Sequence, residues 1–168
     1  GFDQSRGIKV VLGGTSEDGV VVNGQVGLDQ LFSIENVVGT NLDDQITGDA
    51  SNNVLVGGLG ADTISGGAGD DTISTGAGAD RVVVLRDDDI VVVSDFDIAL
   101  DTLDLTAFAF SDVAQALASA QGENVVLRFK TGMELQLLGV SAAQLDDINI
   151  DGLELIADIR TIYDNYGY

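Results

Sequence analysis

The chain has 168 residues and a formal net charge of −21, a balance that repels nucleic acid and anionic membrane surfaces. Hydrophobic residues make up 45% of the sequence, which excludes a disordered acidic tail, while the absence of Cys and His excludes disulfides and thiolate or imidazole metal sites. No apolar run reaches the ~20 residues of a membrane helix. Together with the negative charge, this leads us to expect neither nucleic-acid partners nor membrane insertion.

The first 38 residues form an irregular region. Gly7–Leu12 predicts a strand, and Gly13–Val21 and Gly24–Phe32 each combine an initial Gly with Asp at the sixth position and an aliphatic residue at the eighth. Ser33–Val38 then inserts six residues, which breaks any stacking of Asp29 with later residues, so we assign no firm metal ligand here. Because the sequence opens on Gly without a secretory signal peptide, we expect a piece of a longer polypeptide.

Residues 39–92 hold one nine-residue unit six times, most clearly as GGLGADTIS, GGAGDDTIS and TGAGADRVV at residues 57–83. Glycine at the first, second and fourth positions indicates a tight turn, and the residues that follow suit a very short strand. Stacked copies of such a unit can share a thin aliphatic core, which a single copy cannot form. The sixth positions are Asp44, Asn53, Asp62, Asp71, Asp80 and Asp89, and the eighth positions are Ile46, Leu55, Ile64, Ile73, Val82 and Val91.

If each unit supplies half a coil, units two apart lie one above the other. Asp44, Asp62 and Asp80 then stack along one edge, and Asn53, Asp71 and Asp89 stack along the other. Carboxylates at a spacing of about 4.8 Å repel each other unless a cation lies between them. Carboxylate and carbonyl oxygens, without His or Cys, favour calcium over zinc, copper or magnesium, and the stacking predicts about three to five ions.

The array resembles the RTX (repeats-in-toxin, hemolysin-type) calcium-binding β-roll, whose nonapeptide is Gly-Gly-x-Gly-x-Asp-x-aliphatic-x. The resemblance implies an all-β fold, a right-handed parallel β-roll of two short-strand sheets, with a carboxy-terminal β-rich cap that carries one helix. It also implies ions between alternate turns, best between Asp62 and Asp80 or Asp44 and Asp62, and less well beside Asn53 or Asp89. The implied metal ligands are Asp44, Asn53, Gly57, Gly60, Asp62, Gly66, Gly69, Asp71, Gly76, Gly78, Asp80, Asp89 and Asp95.

The segment after the repeats resembles the closure of RTX arrays, through Asp95-Phe96-Asp97 and Asp101–Leu105. For Asp97, Asp101 and Asp104, a calcium role and an ordinary acidic turn are both open. Ile90–Phe96 predicts a strand, Ser111–Ala120 a helix, Asn124–Lys130 and Glu134–Leu138 a hairpin, and Ser141–Leu145 one helical turn. The candidate cap core is Phe96, Leu105, Phe108, Phe110, Leu127 and Phe129.

These features predict a calcium-binding roll at residues 1–92, irregular over 1–38 and regular over 39–92, and a cap at residues 93–168. The resemblance implies a module of a secreted bacterial protein that folds on extracellular calcium, passes transiently through a type I secretion apparatus and follows upstream domains. Leu153–Tyr168 is either the secretion signal or a terminal helix or strand packed on the cap.

The alternatives are an adhesin or surface-layer segment, or a non-catalytic module of a secreted polysaccharide-modifying enzyme or protease. We expect no catalytic residue and no organic cofactor in this chain, which has neither a metalloprotease His motif nor a Gly-x-Ser-x-Gly elbow.

Overall fold

A computed structural model describes residues 7–12, 34–118 and 123–151 of the protein. The two irregular units at Gly13–Val21 and Gly24–Phe32, with Asp29, lie outside the described residues. The carboxy-terminal tail Leu153–Tyr168 lies outside them as well.

Short strands alternate between two sheets as the chain advances. Sheet A contains, in spatial order, β1 (Lys9–Val11), β3 (Gln45–Thr47), β5 (Thr63–Ser65), β7 (Arg81–Val83), β9 (Thr102–Asp104) and β12 (Asn149–Asp151), all parallel. Sheet B contains β2 (Asn36–Val38), β4 (Val54–Leu59), β6 (Asp70–Ala77), β8 (Ile90–Val93), β11 (Glu134–Leu137) and β10 (Val125–Arg128), parallel except for the β10–β11 hairpin. The parallel roll of two short-strand sheets is therefore confirmed.

The regular part of the roll repeats every eighteen residues. Ile46 pairs with Ile64 and Ile64 with Val82 in sheet A, while Leu55 pairs with Ile73 in sheet B. All five side chains are fully buried between the sheets, and burying each contributes roughly 1.5–3 kcal/mol relative to exposure. Each nonapeptide is therefore half a coil, and its eighth residue forms the core.

The register changes where the repeat loses its turn glycines. Ile73 pairs with Val93, twenty residues on, and Val82 pairs with Leu103, twenty-one residues on. The prediction that Val91 stacks on Ile73 is wrong, because Val91 lies level with Asp71. Residues 84–92 contain no glycine, so this coil cannot make the tight turn of its predecessors and takes up extra residues.

The carboxy-terminal part continues both sheets past residue 92. Strands β9 and β12 extend sheet A, and β11 extends sheet B by parallel pairing with β8. The predicted helix, hairpin and helical turn are present as α1 (Phe110–Ala118), β10–β11 and a 3₁₀ helix at Ala142–Asp147. The predicted division at residues 92 and 93 stays a prediction.

Five of the six predicted core residues of this carboxy-terminal part are buried. The buried members are Phe96, Leu105, Phe108, Leu127 and Phe129, and the side chain of Phe110 lies outside what the structure describes. The rings of Phe108 and Phe129 lie 4.3 Å apart between centroids. These two rings belong to the same hydrophobic core as the aliphatic ladder.

Candidate metal centre

The turns that lead into sheet A carry a vertical row of aspartates, which we call edge A: Asp44, Asp62, Asp80 and Asp101. All four are buried, with at most 3% of each residue exposed. In each, Oδ1 accepts the backbone N–H of the residue one coil below, at 2.6 Å from Ile8, 2.8 Å from Asp44, 2.8 Å from Asp62 and 3.0 Å from Asp80. The row is therefore held in place by backbone hydrogen bonds between coils.

Edge B is the matching row on the turns that lead into sheet B, and it is less regular. Asn53 lies below Asp71, and the backbone N–H of Asn53 donates to Asp71 Oδ1 at 2.8 Å. Both residues are buried. The strand pairing puts Val91 at the level above Asp71, so the carboxylate ladder predicted for this edge does not continue through Asp89.

Three of the ladder carboxylates keep one oxygen without a hydrogen-bond partner. These atoms are Oδ2 of Asp62, Asp71 and Asp80, and all three are buried. Burial is the main cause that raises the pKa of Asp62 and of Asp71 to about 6, and it also raises the pKa of Asp80. Neighbouring carboxylates add to each shift. A buried oxygen without a partner costs about 1–3 kcal/mol or more when charged, so these positions need a cation or a proton.

We call a buried carboxylate oxygen without a hydrogen-bond partner a bare oxygen. The first glycine of a unit leaves room beside it. A Cβ added to Gly57 would lie 2.4 Å from Asp62 Oδ2 and 2.4 Å from the carbonyl oxygen of Thr75. Any side chain here would therefore collide with both oxygens. A carboxylate and a carbonyl oxygen that share one glycine-lined space form the donor set that calcium prefers, so the residues present fit this ion.

The second residue of each unit decides whether the carboxylate keeps its bare oxygen. Gly58 and Gly76, at this position, have φ of +117° and +94°, which a non-glycine residue rarely adopts. In the two earlier units Thr40 and Asp49 replace this glycine, and their N–H groups donate to Asp44 Oδ2 and, at 2.8 Å, to Asn53 Oδ1. These two units therefore satisfy their own sixth-position side chain.

Within the described residues, no three acidic side chains converge on one point that could hold a metal ion. Each cation would thus rely on one or two carboxylates together with turn carbonyls. The remaining predicted glycines, Gly60, Gly66, Gly69, Gly76 and Gly78, lie in these same turns or in the strand ends that flank them. Their role as carbonyl ligands stays a prediction.

Comparison with known families identifies the repeat. The model of the RTX calcium-binding nonapeptide repeat, which comprises four copies, matches residues 38–73 and 56–91. Residues 38–91 therefore form an array of RTX calcium-binding nonapeptide repeats. Repeats of this family bind calcium, and the β-roll fold is the roll of two parallel short-strand sheets described above.

The individual relatives cover the RTX chain unevenly. A solution structure of a subunit from the Azotobacter vinelandii mannuronan C5-epimerase is 32% identical over 74% of this chain and 86% of that one, with a TM-score of 0.42. Probable transaldolases match shorter stretches: that of Dinoroseobacter shibae is 50% identical over 52 residues, 27% of this chain and 24% of the relative. That of Ruegeria pomeroyi is 80% identical over 25 residues, 15% of this chain and 12% of the relative. The chain thus spans a quarter or less of the curated relatives it matches.

Two of the predicted ligands are exposed, unlike the buried ladder residues. Asp89 is exposed. Asp95 is exposed as well, and its oxygens accept hydrogen bonds from Thr75 N–H at 2.8 Å and from Ser74 Oγ at 2.6 Å. Asp95 therefore links the start of the third glycine unit to the segment after β8.

Sequence reasoning left Asp101 open, and the structure makes it the top of edge A. Its Oδ2 accepts hydrogen bonds from Thr75 Oγ1 at 3.1 Å and from Asp97 N–H at 2.9 Å, so no oxygen is bare. The sequence did contain a signal for Asp101, because Asp101 and Leu103 have the same spacing as the sixth and eighth positions of every unit.

Among the helices that the structure describes, none has the length and hydropathy of a membrane-spanning segment.

Proposed function

We propose that this RTX module couples calcium binding to folding outside the cell, and thereby supports the type I secretion and stability of a larger secreted bacterial protein. The observation that carries the proposal is the set of three buried carboxylates, Asp62, Asp71 and Asp80, each with one oxygen that no protein group satisfies. A fold that buries charge in this way is stable only when something outside the chain neutralises it.

The array would hold the ions through the bare oxygens of Asp62, Asp71 and Asp80 and through turn carbonyls such as that of Thr75. A bound calcium ion supplies the positive charge that offsets the repulsion between stacked carboxylates. The chain itself supplies the glycine turns that keep the space clear and the Oδ1 hydrogen bonds that fix each carboxylate. Three bare oxygens support a count at the lower end of the predicted three to five ions.

Such an array responds to the change in calcium between compartments. Extracellular calcium modules bind with Kd of about 10⁻⁴–10⁻³ M, so they are empty at cytosolic calcium and filled outside the cell. Because the unfolded chain does not present the same paired oxygens, the binding free energy becomes folding free energy. An unfolded chain inside the cell is the form that a secretion channel can thread, and folding outside then protects the upstream domains. In this proposal the module is not itself catalytic.

Circular dichroism of the protein in chelator and in 5–10 mM calcium, concentrations of about ten times the expected Kd, tests this coupling. We expect a coil spectrum in chelator, a β-sheet spectrum in calcium, and no recovery in equimolar magnesium, which rarely accepts all-protein sites. A native β-sheet spectrum in chelator would overturn the proposal. Size-exclusion chromatography in the same buffers shows whether the ion drives folding of a monomer or, as an adhesive segment would require, assembly.

A further inference from the structure

The last coil of the array buries an acidic residue that the repeat pattern does not single out. Asp88 is 3% exposed, whereas its neighbours Asp87 and Asp89 are exposed. Its Oδ2 accepts the N–H of Leu85 at 2.8 Å, and its Oδ1 has no hydrogen-bond partner. A buried carboxylate with a bare oxygen is costly, so this position needs the same kind of explanation as the ladder aspartates.

Asp88 lies in the segment that leads into β8, and this segment stacks on the start of β6, where Asp71 lies. The backbone N–H of Asp89 donates to the carbonyl oxygen of Gly69 at 3.3 Å, and Ile90 pairs with Asp70. Asp71 is 1% exposed and its Oδ2 is also bare. Two consecutive coils on edge B therefore each bring one buried, unsatisfied carboxylate oxygen.

The space beside Asp71 lacks a carbonyl contact that the lower coils have. A Cβ on Gly39, Gly48 or Gly57 would lie 2.1, 1.9 or 2.4 Å from the carbonyl oxygen of the residue eighteen positions later. At Gly66, in the unit of Asp71, the three nearest atoms at 2.2–2.9 Å all belong to Asp71 itself. In the shifted last coil, no carbonyl oxygen is among the three atoms nearest to this Gly66 position. A cation beside Asp71 therefore needs another oxygen ligand.

We propose that Asp88, and not the sixth-position Asp89, supplies the last coil's carboxylate to a divalent-cation site shared with Asp71. Two carboxylates with turn carbonyls or water form an oxygen site for a hard cation. Its identification as calcium rests on the proposed function, whereas the choice of Asp88 rests on the structure.

Calcium-binding stoichiometry, measured by equilibrium dialysis, tests this assignment with Asp88→Asn and the matched variant Asp89→Asn. We expect Asp88→Asn to bind one ion fewer than the unaltered protein and Asp89→Asn to bind the same number. Equal stoichiometry in Asp88→Asn, or loss of an ion in Asp89→Asn, would overturn the assignment. Asp62→Asn separates the proposed function from the shared Asp71–Asp88 site. If Asp62→Asn binds fewer calcium ions and Asp88→Asn binds the full number, the shared site is rejected and the proposed function stands. Absence of any binding by the unaltered protein rejects the proposed function as well.

A second measurement uses the unaltered protein and does not depend on how the variants fold. Carboxyl ¹³C chemical shifts of the calcium-folded protein, recorded as strontium is titrated in to replace calcium, should change for Asp71 and Asp88 at the same strontium concentration. The signal of exposed Asp89 should change much less. A constant Asp88 signal while Asp71 titrates would contradict the shared site.

Discussion

Edge A carries an aspartate at every described level of the array, from Asp44 to Asp101, whereas edge B carries an amide, a carboxylate and then a valine. The difference arises where the turn glycines end. On edge A the chain takes three extra residues and returns Asp101 to the ladder, while on edge B it takes two and returns Val91. Which residue continues the aspartate ladder therefore depends on the register with which each strand rejoins its sheet, and not on the nine-residue spacing of the sequence.

The largest effect is expected from removing a central rung of edge A. Asp62→Ala removes a bare oxygen and also the acceptor of the buried Asp44 N–H, which costs about 1–3 kcal/mol by itself. Loss of an ion at about ten times its Kd would add about 1.4 kcal/mol. Urea unfolding in 5–10 mM calcium should therefore show a loss of about 2–4 kcal/mol.

Asp43→Ala is the matched control for this rung. Asp43 Oδ1 accepts the N–H of Ala61, eighteen residues on, at 2.7 Å, but this aspartate is exposed. We expect a loss of about 1 kcal/mol or less, because water replaces an exposed acceptor. Equal losses in Asp43→Ala and Asp62→Ala would show that the ladder carboxylates act as ordinary hydrogen-bond acceptors.

The contrast between the edges also marks how far the sequence could predict this molecule. The nine-residue spacing determined the roll, the inward aliphatic ladder and the row Asp44, Asp62 and Asp80, because each depends on a local turn repeated without change. The shift of β8 and the burial of Asp88 were not predictable, since three adjacent aspartates carry the same local signal. Which of them turns inward depends on how the glycine-free coil packs on its neighbour.

A pH titration of the metal-free protein compares the two edges through Asp62 and Asp71, both with a pKa of about 6. A carboxyl group with a raised pKa in the fold binds protons more tightly there than in the unfolded chain. Its contribution to stability is thus fully present below the unfolded pKa of about 3.9 and is lost as the pH rises through about 6. We expect metal-free protein to gain β-sheet signal and melting temperature between pH 7 and pH 4.5.

In saturating calcium the same pH change should have the opposite sign, because protons then compete with the ion for the carboxylates. Asp62→Asn with Asp71→Asn should reduce the metal-free pH response, since an amide does not titrate in this range. An unchanged response in that double variant would assign the effect to the net charge of −21 and not to the ladder.

The smallest effect is expected from making edge B resemble edge A with Asn53→Asp. The new carboxylate would lie one coil below Asp71 and remove the contact of Asn53 Nδ2 with Asp49 Oδ1 at 3.3 Å. Charge repulsion should disfavour the fold by about 1 kcal/mol at subsaturating calcium. Saturating calcium should offset this loss, so the rise in melting temperature between subsaturating and saturating calcium should grow. Asn52→Asp makes the same chemical change at an exposed neighbour whose Oδ1 accepts the N–H of Asp70 at 3.0 Å. If both variants gain equally from calcium, general surface charge explains the response; if only Asn53→Asp does, the amide is what keeps edge B the weaker of the two.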